Sequence, residues 1–139
     1  TSIGLDRMFL ATLSYAYCEE KLEDGSERVV LKLPAVLAPV KLAVMPLTKK
    51  DGLPEKAREI LDSLKFDYYC QYDEKDSMGK RYRRQDAIGT PYCVTVDHQT
   101  LEDNTVTIRD RDTMKQERIA ISELEKLLKA KFDLKQFLN

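Results

Sequence analysis

The sequence predicts an α/β fold, a five-stranded mixed sheet flanked by about three helices. Three observations carry the prediction. Apolar residues recur at three- and four-residue spacing in 54–65 and again after Ser122. Short runs of strand length carrying β-branched or aromatic residues lie at 40–47, 66–73, 90–97, 105–112 and 116–121. Their order is strand–helix alternation followed by strands joined through short turns, which is the order of a mixed sheet with helices packed on it.

The elements follow in chain order. SIGLDRMFLATLSYAYCEE (2–20) reads as a helix, with Leu5, Met8, Phe9, Thr12, Leu13, Ala16 and Tyr17 on one stripe. Residues 19–32, EEKLEDGSERVVLK, read as a polar, acid-rich connection with DG and GS turn signals. Pro34 and Pro39 stiffen the passage into VKLAVMPL (40–47), an apolar run expected to form a buried strand. PEKAREILDSLK (54–65) is a helix with Pro54 near its first position and Ala57, Ile60, Leu61 and Leu64 on one face. FDYYCQYD (66–73) is the second strand, with Phe66, Tyr68, Cys70 and Tyr72 on one side. GKRYRRQDAIG (79–89) is a short helix ended by Gly89. TPYCVTVD (90–97), TVTIRDRD (105–112) and QERIAI (116–121) complete the sheet, with reversals at Asp103-Asn104 and Asp112-Thr113. Ser122 and Glu125 have the spacing of a capping box before Leu124, Leu127 and Leu128, marking a C-terminal helix.

A chain of 139 residues with 42% hydrophobic and 34% charged residues fits one domain with a real core and a highly charged surface. Three dispersed cysteines with no CxxC pair argue against a zinc site or a disulfide framework. No uncharged run, the apolar LPAVLAPV included, is long enough to span a bilayer, and no secretory pattern opens the chain. The expectation is a cytoplasmic protein without a membrane segment.

No catalytic constellation is visible. The single histidine, His98, has no nucleophile at a defensible spacing, and neither GxxxxGK[ST] nor GxGxxG occurs. Net charge is −1, but GKRYRRQD gathers Lys80, Arg81, Arg83 and Arg84 in a basic strip able to meet phosphates. In TVTIRDRD, strand alternation sends Thr105, Thr107, Arg109 and Arg111 to one face and Val106, Ile108, Asp110 and Asp112 to the other. A guanidinium can donate to N3 and O2 of an unpaired cytosine, and a carboxylate can accept from its N4 amino group. The competing reading is an ordinary solvated face on which arginines pair with neighbouring carboxylates.

RYRRQDAIGTPYCVTVD (81–97), TLEDNTVTIRDRDTMKQERI (100–119) and SIGLDR (2–7) closely resemble glycyl-tRNA synthetases of the homodimeric class II type. The resemblance covers about 34–131 and is to the C-terminal anticodon-binding domain of that family. Residues 1–20 resemble its last catalytic-domain helix, starting inside the third class II motif. The resemblance implies a class II aminoacyl-tRNA synthetase anticodon-binding-domain-like fold over 34–139, preceded by the end of a catalytic domain and a linker over 1–33. It implies a longer parent enzyme that ligates glycine to tRNA(Gly) with ATP and Mg²⁺, as a homodimer. This chain alone is expected to be monomeric and inactive, with no cofactor or metal of its own and with tRNA rather than DNA as partner. Arg7 matches the motif-3 arginine that contacts ATP. Anticodon contacts are expected from Arg84, Asp86, Thr95, Asp97, Arg109 and Arg111, with Lys80, Arg81 and Arg83 on phosphates. His98 stands where the family commonly carries an aromatic residue; its imidazole can stack on a base, more weakly, and the competing reading is a solvated loop histidine. The alternative is a non-catalytic accessory protein that uses such a domain for nucleic-acid or protein contact.

Overall fold

A computed structural model describes residues 4–133 and 135. In chain order the elements are α1 (Leu5–Ala16), β1 (Tyr17–Lys21), β2 (Glu27–Leu31), β3 (Leu42–Pro46), α2 (Leu53–Leu64), β4 (Cys70–Tyr72), α3 (Met78–Ile88), β5 (Tyr92–Val96), α4 (His98–Asp103), β6 (Thr105–Asp110), β7 (Gln116–Ala120) and α5 (Ile121–Lys131). A single 3-10 turn, Ala35–Leu37, precedes β3.

The main sheet has the order β4-β3-β5-β6-β7. β3 pairs in parallel with β4 and β5, whereas β5–β6 and β6–β7 are antiparallel, so the sheet is mixed as expected. All five β3 residues are buried. A strand covered on both faces has no polar side to alternate, which is why its sequence reads as a continuous apolar run. One face carries Leu42, Val44, Val94, Val96, Val106 and Ile108 and is closed by α2 and α5. The opposite face carries Ala43, Met45 and Cys93, which pack under Met78 and Tyr82 of α3.

The amphipathic helices sit where their periodicity directs them. α2 buries Leu53, Ala57, Ile60 and Leu64, and Pro54 occupies its first turn, where a missing N–H costs nothing. α3 ends at Gly89, with φ +85° and its N–H donating to the Asp86 and Gln85 carbonyls. A Cβ at Gly89 would lie 3.1 Å from Leu31 Cβ and 3.2 Å from the Leu31 carbonyl oxygen. Position 89 therefore needs glycine twice over, for its left-handed turn and for the close passage of β2.

Several local expectations are corrected. The first helix stops at Ala16, and residues 17–21 turn into β1 of an antiparallel hairpin with β2, where only a polar connection was read. Its predicted residues 2 and 3 lie outside the described residues. Of the apolar stripe of α1, Leu5, Met8 and Phe9 are exposed among the described residues, and Ala16 is buried. The second strand shrinks to Cys70–Tyr72, and Phe66 is exposed because 66–69 is the turn leaving α2. Residues 98–103 form α4, capped by Asp97 and Thr100 in a reciprocal capping box. Ser122 caps nothing, because α5 starts directly from β7 and already contains it.

Candidate nucleic-acid interface

α3 covers only the β3–β5 half of its sheet face. Cα pairing aligns Thr95 with Thr107 and Thr107 with Arg118 in one row, and Cys93 with Arg109 and Arg109 with Gln116 in the next. Beyond the cover of α3 these rows open into a shallow groove. Ser77, Gly79, Lys80, Tyr82 and Arg83 form one wall, and Arg109, Met114 and Gln116 the other.

Arg109 is the centre of the groove. It is only 4% exposed, and its guanidinium makes a fork-to-fork pair with Asp86, Nη1 to Oδ1 at 2.9 Å and Nη2 to Oδ2 at 3.2 Å. The guanidinium carbon lies 4.7 Å from the centroid of the Tyr82 ring. Its remaining N–H groups have no acceptor among the described residues. Burial opposes the charge on Arg109, but the bonds and charge of Asp86 outweigh it and hold its pKa above the ordinary value. The cation that faces the groove is permanent.

Asp86 is wholly buried and cannot meet a base. Besides Arg109 it accepts from Arg28 Nη1 at 3.1 Å, and Arg83 Nη1 lies 4.0 Å away. Arg28 is also buried. Its Nε donates to Glu20 Oε2 at 2.8 Å and its Nη1 to the Arg111 carbonyl at 2.9 Å. Its Nη2 sits 2.5 Å from Glu20 as an ion-pair contact without a directed hydrogen bond. A network of ion pairs thus runs from the β1–β2 hairpin through Asp86 to the groove.

Other predicted contacts are displaced from the surface. Arg81 is buried and donates to the main-chain carbonyls of Pro46, Glu74, Lys75 and Asp76, so it stitches the 74–76 loop to β3 and has no reach to phosphate. Arg111 is 3% exposed; Nη1 donates to the Gly89 carbonyl at 2.8 Å and Nη2 to the Leu33 carbonyl at 2.6 Å, while Nε pairs with Asp112. Its role is to clamp the end of α3 and the 33 segment. The strand ends at Asp110, and the Arg111 N–H still donates to the Pro91 carbonyl beside β5 at 3.0 Å. Arg84 lies on the far side of α3, paired with Asp73 and Asp76. Thr95 is buried and bonded to the Tyr82 hydroxyl at 2.8 Å.

Asp97 serves as the N-cap of α4 and pairs with Arg118. Burial raises its pKa, but the Arg118 and Thr100 bonds outweigh that and leave it lowered. His98 begins α4, is exposed, and lies 2.9 Å from Asp51 rather than in the groove. Arg7 is exposed on α1. Only Lys80, Arg83 and Arg109 of the predicted set share the groove. Tyr82, Met114 and Gln116 were missed. Alternation along 116–120 places Gln116 and Arg118 on the Arg109 face, a signal legible only once the β6–β7 register is known.

A family model described as "Anticodon binding domain" matches residues 41–131. A glycine–tRNA ligase of Borrelia hermsii is 56% identical over 124 residues, covering 89% of this chain and 28% of that protein. A glycine–tRNA ligase of Ruminiclostridium cellulolyticum is 54% identical over 132 residues, covering 95% of this chain and 28% of that protein. The chain thus spans less than a third of the length of these curated relatives. In fold it is similar to a prolyl-tRNA synthetase from Cryptosporidium parvum, with TM-score 0.65 and 22% identity over 81% of this chain and 30% of the other. The RNA-binding domain of a threonyl-tRNA synthetase from the same organism gives the same TM-score and identity over 71% of this chain and 25% of the other.

Proposed function

The chain belongs to the anticodon-binding domain family, and on that premise we propose that it reads the anticodon loop of tRNA(Gly) within a glycine–tRNA ligase. The observation that carries the reading is the Arg109 groove: a pre-oriented guanidinium with free N–H groups, between an aromatic ring and a basic helix edge. Its planar fork suits the adjacent N3 and O2 acceptors of cytosine. Gln116 offers an amide oxygen to the N4 amino group, and Lys80 and Arg83 approach the phosphates of the loop. Arg84, Thr95, Asp97, His98 and Arg111 act behind or beside this surface. The parent enzyme uses ATP and Mg²⁺ to activate glycine, with Arg7 on the ATP phosphates, and works as a homodimer in the cytoplasm. The 139-residue chain on its own is monomeric and inactive, because a single phosphate-binding arginine cannot orient two substrates.

Binding of the intact protein to a tRNA transcript with a GCC anticodon, and to one with both cytosines replaced, tests the reading. Each lost base contact is expected to cost about 1–3 kcal/mol. Arg109→Ala should weaken the cognate transcript most, whereas Lys80→Ala should weaken both and flatten the salt dependence by about one charge. Equal affinity of the wild-type protein for the two transcripts refutes the proposal.

A further inference from the structure

We propose that Arg28, in the β1–β2 hairpin, is a positioning residue for base discrimination, fixing the plane of Arg109 through the carboxylate they share. The inference rests on the reading of the groove as the anticodon site. The Arg28 side chain has no exposed surface, so it cannot touch RNA. It reaches the groove only through what it holds. Its Nη1 donates at once to Asp86 Oδ2 and to the Arg111 carbonyl, at 3.1 and 2.9 Å. Asp86 turns both oxygens to Arg109. The carboxylate torsion of an aspartate is broad and roughly two-fold, so one bidentate partner alone leaves the pair free to swing together. A second guanidinium bound to Oδ2 removes that freedom. The outer N–H edge of Arg109 is then aimed at one place in the groove, as recognition of a base edge requires. The Arg111 carbonyl bond fixes the foot of the β6–β7 turn, which carries Met114 and leads to Gln116.

Neutralising charge alone needs no such bridge. Glu20 already neutralises Arg28, with Nε donating to Oε2 at 2.8 Å, and Asp86 already neutralises Arg109. Arg28 spans both carboxylates because its fork points two ways. A lysine keeps the charge but not the span.

The test measures the affinity ratio between the GCC transcript and the transcript lacking both cytosines, for the intact protein. Arg28→Met is expected to lower this ratio about tenfold, the scale of one lost base contact. Affinity for the substituted transcript and its salt dependence should not change, because the phosphate contacts are untouched. Arg28→Lys should restore part of the ratio. In an Arg109→Ala background, Arg28→Met should cost nothing further, since the residue it positions is gone. An unchanged ratio in Arg28→Met, or losses that add in the double variant, overturns the proposal. If Arg28→Met loses cooperative melting, Arg28→Lys and Glu20→Gln carry the same criterion, with a partial fall in ratio expected from each and an unchanged ratio in both decisive against it. A wild-type protein without discrimination defeats the groove reading and this inference together. Discrimination that survives in every Arg28 and Glu20 variant defeats the role of Arg28 alone.

Discussion

At the scale of single residues, the arginines divide by what their donors meet. Arg81 and Arg111 spend their buried donors on main-chain carbonyls, Arg111 with Asp112 as its neighbouring counter-charge. Arg109 ends on one carboxylate and keeps an edge for the groove. The distinction separates stability from recognition. Arg111→Ala strips the Gly89 and Leu33 carbonyls of their donor in a buried place and is expected to cost about 2–5 kcal/mol of unfolding free energy by denaturant titration. Its effect on transcript discrimination should be small beside that of Arg109→Ala. Gly89→Ala brings a Cβ to 3.1 Å from Leu31 at φ +85° and is expected to cost about 1–3 kcal/mol in the same titration.

At the scale of elements, α3 lies between the sheet and the hairpin. Tyr82 and Met78 face Met45 and Cys93, while Arg81, Gln85 and Asp86 are buried on the rest of the helix. A helix with four basic residues in eleven is an unlikely filling for two layers unless its charges are matched on both sides. Glu20 supplies part of that match. The Lys32 bond, with the Arg28 bond and charge, holds the Glu20 carboxyl below its ordinary pKa against a smaller opposing effect of burial. A carboxylate depressed in the folded state contributes stability that is present above its ordinary pKa and lost as pH falls through the lowered one. On acidification below about pH 4 the hairpin amides should therefore lose hydrogen-exchange protection before those of β3. Glu20→Gln should lack this acid-dependent step and show a weakened hairpin already at neutral pH. The outcome that contradicts it is hairpin and β3 amides exposing together across the whole acid range.

At the scale of the whole molecule, a separate apolar cluster closes each sheet face, and opening them exposes groups that are otherwise inaccessible. Cys93 is 1% exposed, and burial pushes its thiol pKa up to about 12. Alkylation of Cys93 in the native protein should therefore be slower than that of the half-buried Cys18 and should track global unfolding. Among the described residues no helix is long and apolar enough to cross a membrane. Net charge is −1, so on the proposed reading the attraction to RNA has to come from the local basic edge of the groove rather than from the field of the whole chain.

The sequence by itself determined the periodic elements: the five strands of the main sheet in their order along the chain, the helices at α2, α3 and α5, the glycine stop at 89, and the family. These depend on local spacing and on ordered blocks of residues, which the chain displays directly. It left out the β1–β2 hairpin because the inward positions of β2 are Arg28 and Val30, and a buried arginine breaks the apolar alternation that announces a strand. The site divided along the same line. Basic helix and arginine strand were both legible, but which cations face solvent was not. A charged side chain shows its type in the sequence, while its burial depends on a partner that is distant along the chain, such as Asp86 for Arg28, 58 positions away. Only the tertiary structure could match those charges, and so only it could choose Arg109 for the groove and turn Arg81 and Arg111 inward.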